Sequence, residues 1–424
     1  MRSATPKVLH PVCGTPILAW VLQAARGAGA ETLVVVTPPG EPGVQQLAAA
    51  AGRVVIQHVA GGTGDAVRCG MGELETFDGD VLVVSGDTPL IGPELLAELV
   101  AHHRSTGAAA TLLSADVPTP NAYGRVVRNA DGTVDRIVEA RDATPPELEL
   151  TEMNAGFYVF AATALRGALT QLAPTNVQGE LYLPDTLGPI RAAGGRIEAR
   201  LTGDATSSLG INTRVELAEA DQLMRARILA AHMLAGVTIV DPASTFIEAT
   251  VTIEADATIM PFSVLRGSTT IARGAEIGPH AVLVDARVGE DARVGPFCYL
   301  RPGTALARRS KAGSFVEIKN STVGEGAKVP HLSYIGDADI GEGSNVGAGA
   351  ITANYHRGRK TRTTIGAHVH IGSDNVFVAP VTIGDGAYTA AGSIITDDVP
   401  NDALAVARAR QVNIDGYATR SDDG

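Results

Sequence analysis

"IARGAEIGPHAVLVDARVGEDARVGPFCYL" (271–300) repeats itself about every six residues. Ile271, Ile277 and Leu283 stand six apart, a step of five reaches Val288, and Val294 and Leu300 resume the six. Glycine and other small residues fill the positions between. An aliphatic at every sixth position, followed by a turn, is the pattern of a parallel β-helix of hexapeptides. Each hexapeptide makes one short strand and one turn. Three strands close a coil, and one aliphatic per strand points inside.

Outward from that stretch the register continues. Upstream it includes Ile253, Ile259 and Leu265; downstream it reaches Leu306 and resumes at Ile365, Ile371, Phe377, Ile383 and Ile395, with Thr389 its one polar member. It breaks at "NYHRGRKTRTT" (354–364), which carries His356, Arg357, Arg359, Lys360 and Arg362. Such an insertion must leave the coil. A solvated basic loop is one reading. In a chain of formal net charge −12, a lid over an anionic ligand is the favoured one.

Before the repeat, the chain reads as α/β. "ETLVVVT" (31–37) and "DVLVVSGDTPL" (80–90) are β-branched runs of the kind buried in a parallel sheet. Helical segments over 63–74 and 93–104 would serve as crossovers. Between the two regions Leu217, Ala220, Met224, Ile228 and Ala231 form one stripe on a helix. The expected organisation is therefore a domain over 1–213, a helical connector over 214–236, a β-helix over 237–400 and a tail over 401–424. The end of that tail, "GYATRSDDG" (416–424), is polar and expected to be disordered.

Composition narrows the function. The acidic balance argues against a nucleic-acid partner. Three distant cysteines, Cys13, Cys69 and Cys298, match no zinc spacing and point to a reducing cytoplasm. No run of 18 apolar residues and no signal-peptide pattern is present, so no membrane partner is expected.

Several stretches carry chemistry. "GGTGDAV" (61–67) is a glycine turn entering a helix, able to offer N–H groups to phosphate or a pyrimidine edge. Asp87 closes a buried strand at the end where α/β sheets bind ligands, either to hold Mg²⁺ or to cap the next turn. "YGRVV" (123–127), "IVEARDA" (137–143), "EMNAGFYVF" (152–160), "NVQGELYLPD" (176–185) and "LGINTRVEL" (209–217) are each, alone, a turn. In the β-helix, "FVEIKNSTVGEGAKVPHLSYIGDADIG" (315–341) is dense in polar residues. Winding the coil should bring Arg301, Lys319 and Lys360 near His331. That distinguishes it from His280, His368 and His370, read as surface or turn residues.

Together and in this order, these motifs resemble the sugar-nucleotide pyrophosphorylases. The nearest likeness is to the bacterial bifunctional N-acetylglucosamine-1-phosphate uridylyltransferases and glucosamine-1-phosphate N-acetyltransferases, over essentially the whole chain. The resemblance implies a Rossmann-like nucleotidyltransferase domain and a left-handed β-helix, α/β plus all-β. It implies that Lys7, in "PKVLHP", contacts phosphate. Gln57, Gly62 and Thr63 would contact uracil, Asp87 and Asn212 would hold Mg²⁺, and Gly124, Glu139 and Asn154 would contact the sugar. In the β-helix it makes His331 the general base that deprotonates the glucosamine amine as it attacks acetyl-CoA. Arg301, Lys319, Tyr334, Asn345 and Lys360 would hold the sugar phosphate. Ala348, Asn354, Tyr355, Ser373, Ala391 and Arg408 would hold acetyl-CoA. It implies a cytoplasmic homotrimer with acetyl transfer between subunits.

The likeness departs at the start. That family opens with a strand and a loop Leu-Ala-Ala-Gly-x-Gly-Thr-Arg-Met before Pro-Lys-Val-Leu-His. Met1 falls on the last Met, so a central strand and the glycine loop with its arginine are expected to be missing, at a cost to uridylyl transfer. One alternative is a monofunctional acetyltransferase. Another is a different pyrophosphorylase whose β-helix only oligomerises. The His331–Tyr334 stretch and the basic loop argue against the latter.

Overall fold

The computed structural model describes residues 1–119, 123–174 and 178–419, in two compact units, Met1–Met224 and Arg225–Gly424. Part of "NVQGELYLPD" and the last five residues of the tail lie outside the described residues.

In the first unit, Val34–Thr37 pairs parallel with Arg53–Ile56. A larger sheet runs in the order Ile197–Thr202, Ala110–Asp116, Glu152–Ala161, Arg125–Arg128, Val134–Val138, with Asp80–Val83 also on Glu152–Ala161. The parallel pairing expected from strand–helix alternation holds for Ile197–Thr202 beside Ala110–Asp116 but not for the strand Glu152–Ala161. Glu152–Ala161 runs antiparallel to Asp80–Val83, Ala110–Asp116 and Arg125–Arg128. The chain reaches it from the hairpin Arg125–Arg128/Val134–Val138 and the one-turn helix Pro145–Leu148, without a long crossover helix.

Alternate residues of this strand feed two cores. Tyr158 and Phe160 pack with Leu112, Leu165 and Met71, while Phe157 and Val159 pack with Leu96, Leu99 and Ala24. Helices therefore cover both faces. Its register against Ala110–Asp116 shifts beside Asn154, where Gly156 takes φ +79°. Such a bulge redirects a side chain at the end of a strand.

The helix Arg214–Leu234 buries Ala220 and Met224. Ala231, expected on the same stripe, is exposed; Ile228 of that stripe packs half-buried against the core of the second unit, and Leu229 is buried in it.

The second unit is a left-handed parallel β-helix of three sheets. Each strand pairs with the one a coil later, so Ile259 faces Ile277, which faces Val294, and Leu265 faces Leu283, which faces Leu300. These aliphatics form a single core from Leu229 to Val399. The insertion leaves after Ile351–Ala353, forms the hairpin Tyr355–His356/Arg359–Lys360, and returns at Thr363–Ile365. One corner of successive coils carries Phe262, His280, Phe297, Phe315 and Leu332, all with positive φ. The four rings stack at 4.7, 4.8 and 5.1 Å.

Candidate active sites

In the first unit three residues far apart in sequence meet. Lys7 Nζ donates to Asp87 Oδ2 at 2.6 Å and to Asn212 Oδ1 at 2.9 Å. Lys7 lies in a 3₁₀ turn, Lys7–Leu9, and Asp87 follows the strand Asp80–Val83. Asn212 precedes the helix Arg214–Leu234. There Glu216 accepts from the backbone N–H of Asn212 and Thr213 at 2.6 and 2.7 Å. Burial opposes ionisation of Glu216, but these two donors, the Thr213 hydroxyl and Lys7 together hold its carboxyl below the usual range. A carboxylate and an amide oxygen converging on one cationic point suit Mg²⁺, which takes one or two protein oxygens and completes its shell with phosphate and water. Among the described residues no group of three His, Cys, Asp or Glu could hold a metal by itself.

The glycine turn packs against a second segment. Gly62, at φ +93°, leaves no space for a Cβ, which would stand 2.5 Å from the Leu181 carbonyl. Gly64 N–H donates to that carbonyl at 2.7 Å, and Thr63 Oγ1 accepts from Leu183 N–H at 3.0 Å. Gln57 Nε2 donates to Gly62 O at 3.3 Å, as the sequence grouping anticipates, and to Asp65 Oδ2 at 2.8 Å, a partner the sequence reading did not name.

Gly124, Glu139 and Asn154 also meet. Asn154 N–H donates to Gly124 O at 2.8 Å, and a Cβ on Gly124 would lie 3.2 Å from Glu139 Oε1. Glu139, Thr63, Asp142 and Tyr182 line a cavity of about 330 Å³. Burial, then the charges of Asp142 and Asp185, push the Glu139 carboxyl above its ordinary range. Tyr123 connects this cluster to the first. Burial raises its phenol, and so do the charges of Glu216 and Asp87.

In the second unit the expected residues fall on one corner, the sheet beside it and the inserted hairpin, with Asn345 apart on the third sheet. The corner is a backbone ladder. Leu332 N–H donates to Ser314 O, Gly349 N–H to His331 O at 3.3 Å, Asp374 N–H to Ala348 O at 2.7 Å, and Gly392 N–H to Ser373 O at 2.8 Å. His331, Ala348, Ser373 and Ala391 are thus equivalent positions on four successive coils. A Cβ on Gly392 would lie 4.0 Å from Arg408 Cδ, which places Arg408 at the foot of the ladder. His331 is exposed, and its ring makes no hydrogen bond among the described residues.

On the adjoining sheet, Tyr299, Glu317 and Tyr334 are aligned on successive rungs. Arg301 follows Leu300, the partner of Ile318, so it stands beside Lys319. Arg301 Nη1 donates to Glu317 Oε1 at 2.8 Å. Lys319 and Lys360 act on each other as like charges: Lys319 lowers the pKa of Lys360 and Arg301 adds to that field, while Asp337 favours the charge on Lys319. A Cβ on Gly336 would stand 2.5 Å from the Tyr334 hydroxyl and 2.7 Å from Asn354 Nδ2, so those two groups close over Gly336. Tyr355 is exposed on the hairpin beside Lys360. Asn345 bridges Lys328 and His370 on the third sheet; among the described residues no hydrogen bond ties its side chain to the lysine pair. His280 stacks between Phe262 and Phe297, and His370 against Tyr388.

The family profile for the MobA-like NTP transferase domain matches residues 1–181, and that for the bacterial transferase hexapeptide (six repeats) matches 250–284 and 362–397. The chain is 48% identical over 445 residues to the Bifunctional protein GlmU of Streptomyces avermitilis, spanning 100% of this chain and 92% of the relative. It belongs to the GlmU family. The family member of Corynebacterium efficiens is 46% identical over 100% of this chain and 92% of its own length. That of Mycobacterium tuberculosis H37Ra is 46% identical over 100% and 90%. The chain is accordingly a bifunctional enzyme, with a nucleotidyltransferase unit and a hexapeptide acetyltransferase unit. No described helix is long and apolar enough to cross a membrane.

Sequence reading missed Asp337 and Asp142. Asp337 accepts from Asn320 and Asn354 beneath the lysine pair. The available signal was its spacing, 17 residues after Asn320 and 17 before Asn354, one coil in each direction.

Proposed function

We propose that the second unit acetylates glucosamine 1-phosphate from acetyl-CoA, and that the first unit couples the product, N-acetylglucosamine 1-phosphate, to UTP, releasing pyrophosphate and UDP-N-acetylglucosamine. This is a step toward cell-wall precursors, carried out in the cytoplasm. The observation that carries the reading is the arrangement around His331. An imidazole with no hydrogen-bond partner among the described residues heads a wall of small residues, beside a sheet presenting Arg301 and Lys319 and a hairpin carrying Lys360.

The sugar phosphate is held by Arg301, Lys319 and Lys360, with Tyr334 and Asn345 on the sugar. Two ammonium groups with one buried carboxylate, 3.5 Å from Lys319, leave an excess of positive charge for a dianion. Acetyl-CoA lies along Ala348, Ser373 and Ala391. Small side chains there let an extended ligand approach the backbone, while Asn354 and Tyr355 contact it from the hairpin side and Arg408 from the ladder's foot. His331, as neutral imidazole, takes a proton from the amine as its nitrogen attacks the thioester carbonyl, and CoA leaves as thiolate. His331 and its surroundings stand open, and an exposed apolar corner leads up to them. Both features support a homotrimer in which a neighbouring copy closes each site.

In the first unit the phosphate oxygen of the sugar attacks the α-phosphorus of UTP in line, with pyrophosphate leaving. No protein nucleophile is needed. Mg²⁺ on Asp87 and Asn212 would supply charge compensation at the phosphates. Lys7, released from those two oxygens, reaches the phosphates. Gln57, Gly62 and Thr63 contact uracil, and Gly124, Glu139 and Asn154 contact the sugar.

A paired assay tests the reading. His331→Ala should lower acetyl transfer by roughly 10²-fold or more, as loss of a general base does, and leave uridylyl transfer unchanged. Full acetyl transfer by this variant would remove His331 from the mechanism.

A further inference from the structure

Asp337 stands where the insertion leaves and re-enters the coil. Its backbone N–H donates to Lys319 O at 3.0 Å, and its carbonyl accepts from Thr363 N–H at 3.1 Å. The side chain is 8% exposed. Its Oδ1 accepts from Asn320 Nδ2 at 2.5 Å, and its Oδ2 accepts from Asn354 Nδ2 and lies 3.5 Å from Lys319 Nζ. One buried carboxylate therefore touches a residue from each half of the acetyl-transfer site.

We propose that Asp337 is a positioning residue for acetyl transfer: its carboxylate fixes the Lys319 ammonium on the sugar-phosphate side and the Asn354 amide on the acetyl-CoA side. The inference rests on the acetyl-transfer reading above. Two physical arguments carry it. Lys319 and Lys360 repel each other, and Arg301 adds positive charge beside Lys360, while Arg362 is paired with Asp339. Tyr334 and Asp337 favour the charge on Lys319, and of the two Asp337 alone is a buried carboxylate. The second argument is donor counting. Asn320 and Asn354 both present N–H groups to Asp337, so an asparagine at 337 could accept from one of them and would set its own NH₂ against the other.

The test is steady-state kinetics of the full chain from pH 7 to 9, with D337N beside the wild type. D337N should raise KM for glucosamine 1-phosphate about tenfold, the size of one lost charge-assisted contact. That KM should also rise with pH in the variant more steeply than in the wild type, because one lysine now loses its proton earlier. KM for acetyl-CoA should rise as well. A role confined to stability would lower the unfolding midpoint without altering the pH dependence of KM. N320A provides the second variant, because it frees one carboxylate oxygen and keeps the charge. It should raise both KM values while retaining the wild-type pH profile, and it decides the matter should D337N fail to fold. A folded D337N with wild-type KM values and pH profile, or an N320A that moves neither KM, overturns the inference and leaves the acetyl-transfer reading intact. A wild type that transfers no acetyl group to glucosamine 1-phosphate overturns both.

Discussion

A methyl group on Gly336 would meet the tips of two side chains, Tyr334 and Asn354; one on Gly313 would meet the Pro330 carbonyl at 2.0 Å. The difference decides what each substitution does. Tyr334 and Asn354 can swing aside, so Gly336→Ala should cost about 1 kcal/mol, the low end for overpacking, yet displace two ligand contacts. Its expected signature is a raised KM in acetyl transfer with an unfolding midpoint near that of the wild type. The Pro330 carbonyl is main chain on the rung that ends in His331. Gly313→Ala should therefore cost about 3 kcal/mol and lose stability and acetyl transfer together. Thermal unfolding beside kinetics separates the two cases. In the first unit, like charge is the lever. Asp142 disfavours the ionised form of Glu139, so removing its charge lets Glu139 ionise at lower pH. Ionised Glu139 is the stronger acceptor for a sugar hydroxyl. Asp142→Asn should shift the acid limb of the uridylyl-transfer pH profile toward lower pH; an unmoved limb would mean that Glu139 does not govern it.

The helix Pro93–Thr106 carries His103, which is buried against the sheet, 2.9 Å from Thr111 Oγ1 and 3.6 Å from Asp80. Burial lowers its pKa below 6.5, outweighing the pull of Asp80, while Arg104 and His102 push the same way as burial. The unfolded chain thus takes up this proton at higher pH than the folded one. Stability from this site is present above pH 6.5 and is lost as the pH falls below it. Unfolding midpoints should fall between pH 7 and 5, and His103→Gln should flatten that fall. The elements themselves were unequally legible in the sequence. The β-helix was readable because its inward positions recur at a fixed step, and Ile271, Ile277 and Leu283 are all buried as that step requires. The direction of Glu152–Ala161 was not, because alternation of strand and helix carries no sign for a strand reached from a hairpin. Of the candidate sites, Ala348, Ser373 and Ala391 came from resemblance, and the winding of the coil explains why they stack below His331. The meeting of Lys7 with Asp87 and Asn212, 80 and 205 residues away, has no periodic signal and came only from resemblance. Asp337 escaped because its partners lie on neighbouring coils, and steps of five and six together blur that spacing.

Positive φ disfavours side chains, and glycine, asparagine and aspartate tolerate it best. Two corners of the β-helix largely obey this rule. One carries Gly267, Asp285, Gly303, Asn320 and Asp337, and another carries Asp256, Gly274, Asp291, Gly326 and Gly343, with Arg309 and His368 as exceptions. The third corner breaks it, with Phe262, Phe297, Phe315 and Leu332 exposed at 54%, 49%, 59% and 63%. Neither the backbone nor the coil interior accounts for large apolar groups there. An exposed apolar ladder of this length marks an interface, and it leads directly to His331. On the homotrimer reading proposed above, neighbouring copies of the chain would occupy it and would also complete the acetyl-transfer site. Phe297→Glu places a charge in the middle of the ladder, facing outward, where it leaves the core of the coil unaltered. Sedimentation should then shift from trimer toward monomer. Acetyl transfer per chain should fall on dilution and recover as protein concentration rises, since reassociation rebuilds the site by mass action. Uridylyl transfer, whose candidate residues all lie in the first unit, should not follow concentration. A Phe297→Glu protein that stays trimeric and fully active in acetyl transfer at high dilution would mean that the ladder faces solvent in the assembly, and that the subunits meet through another face.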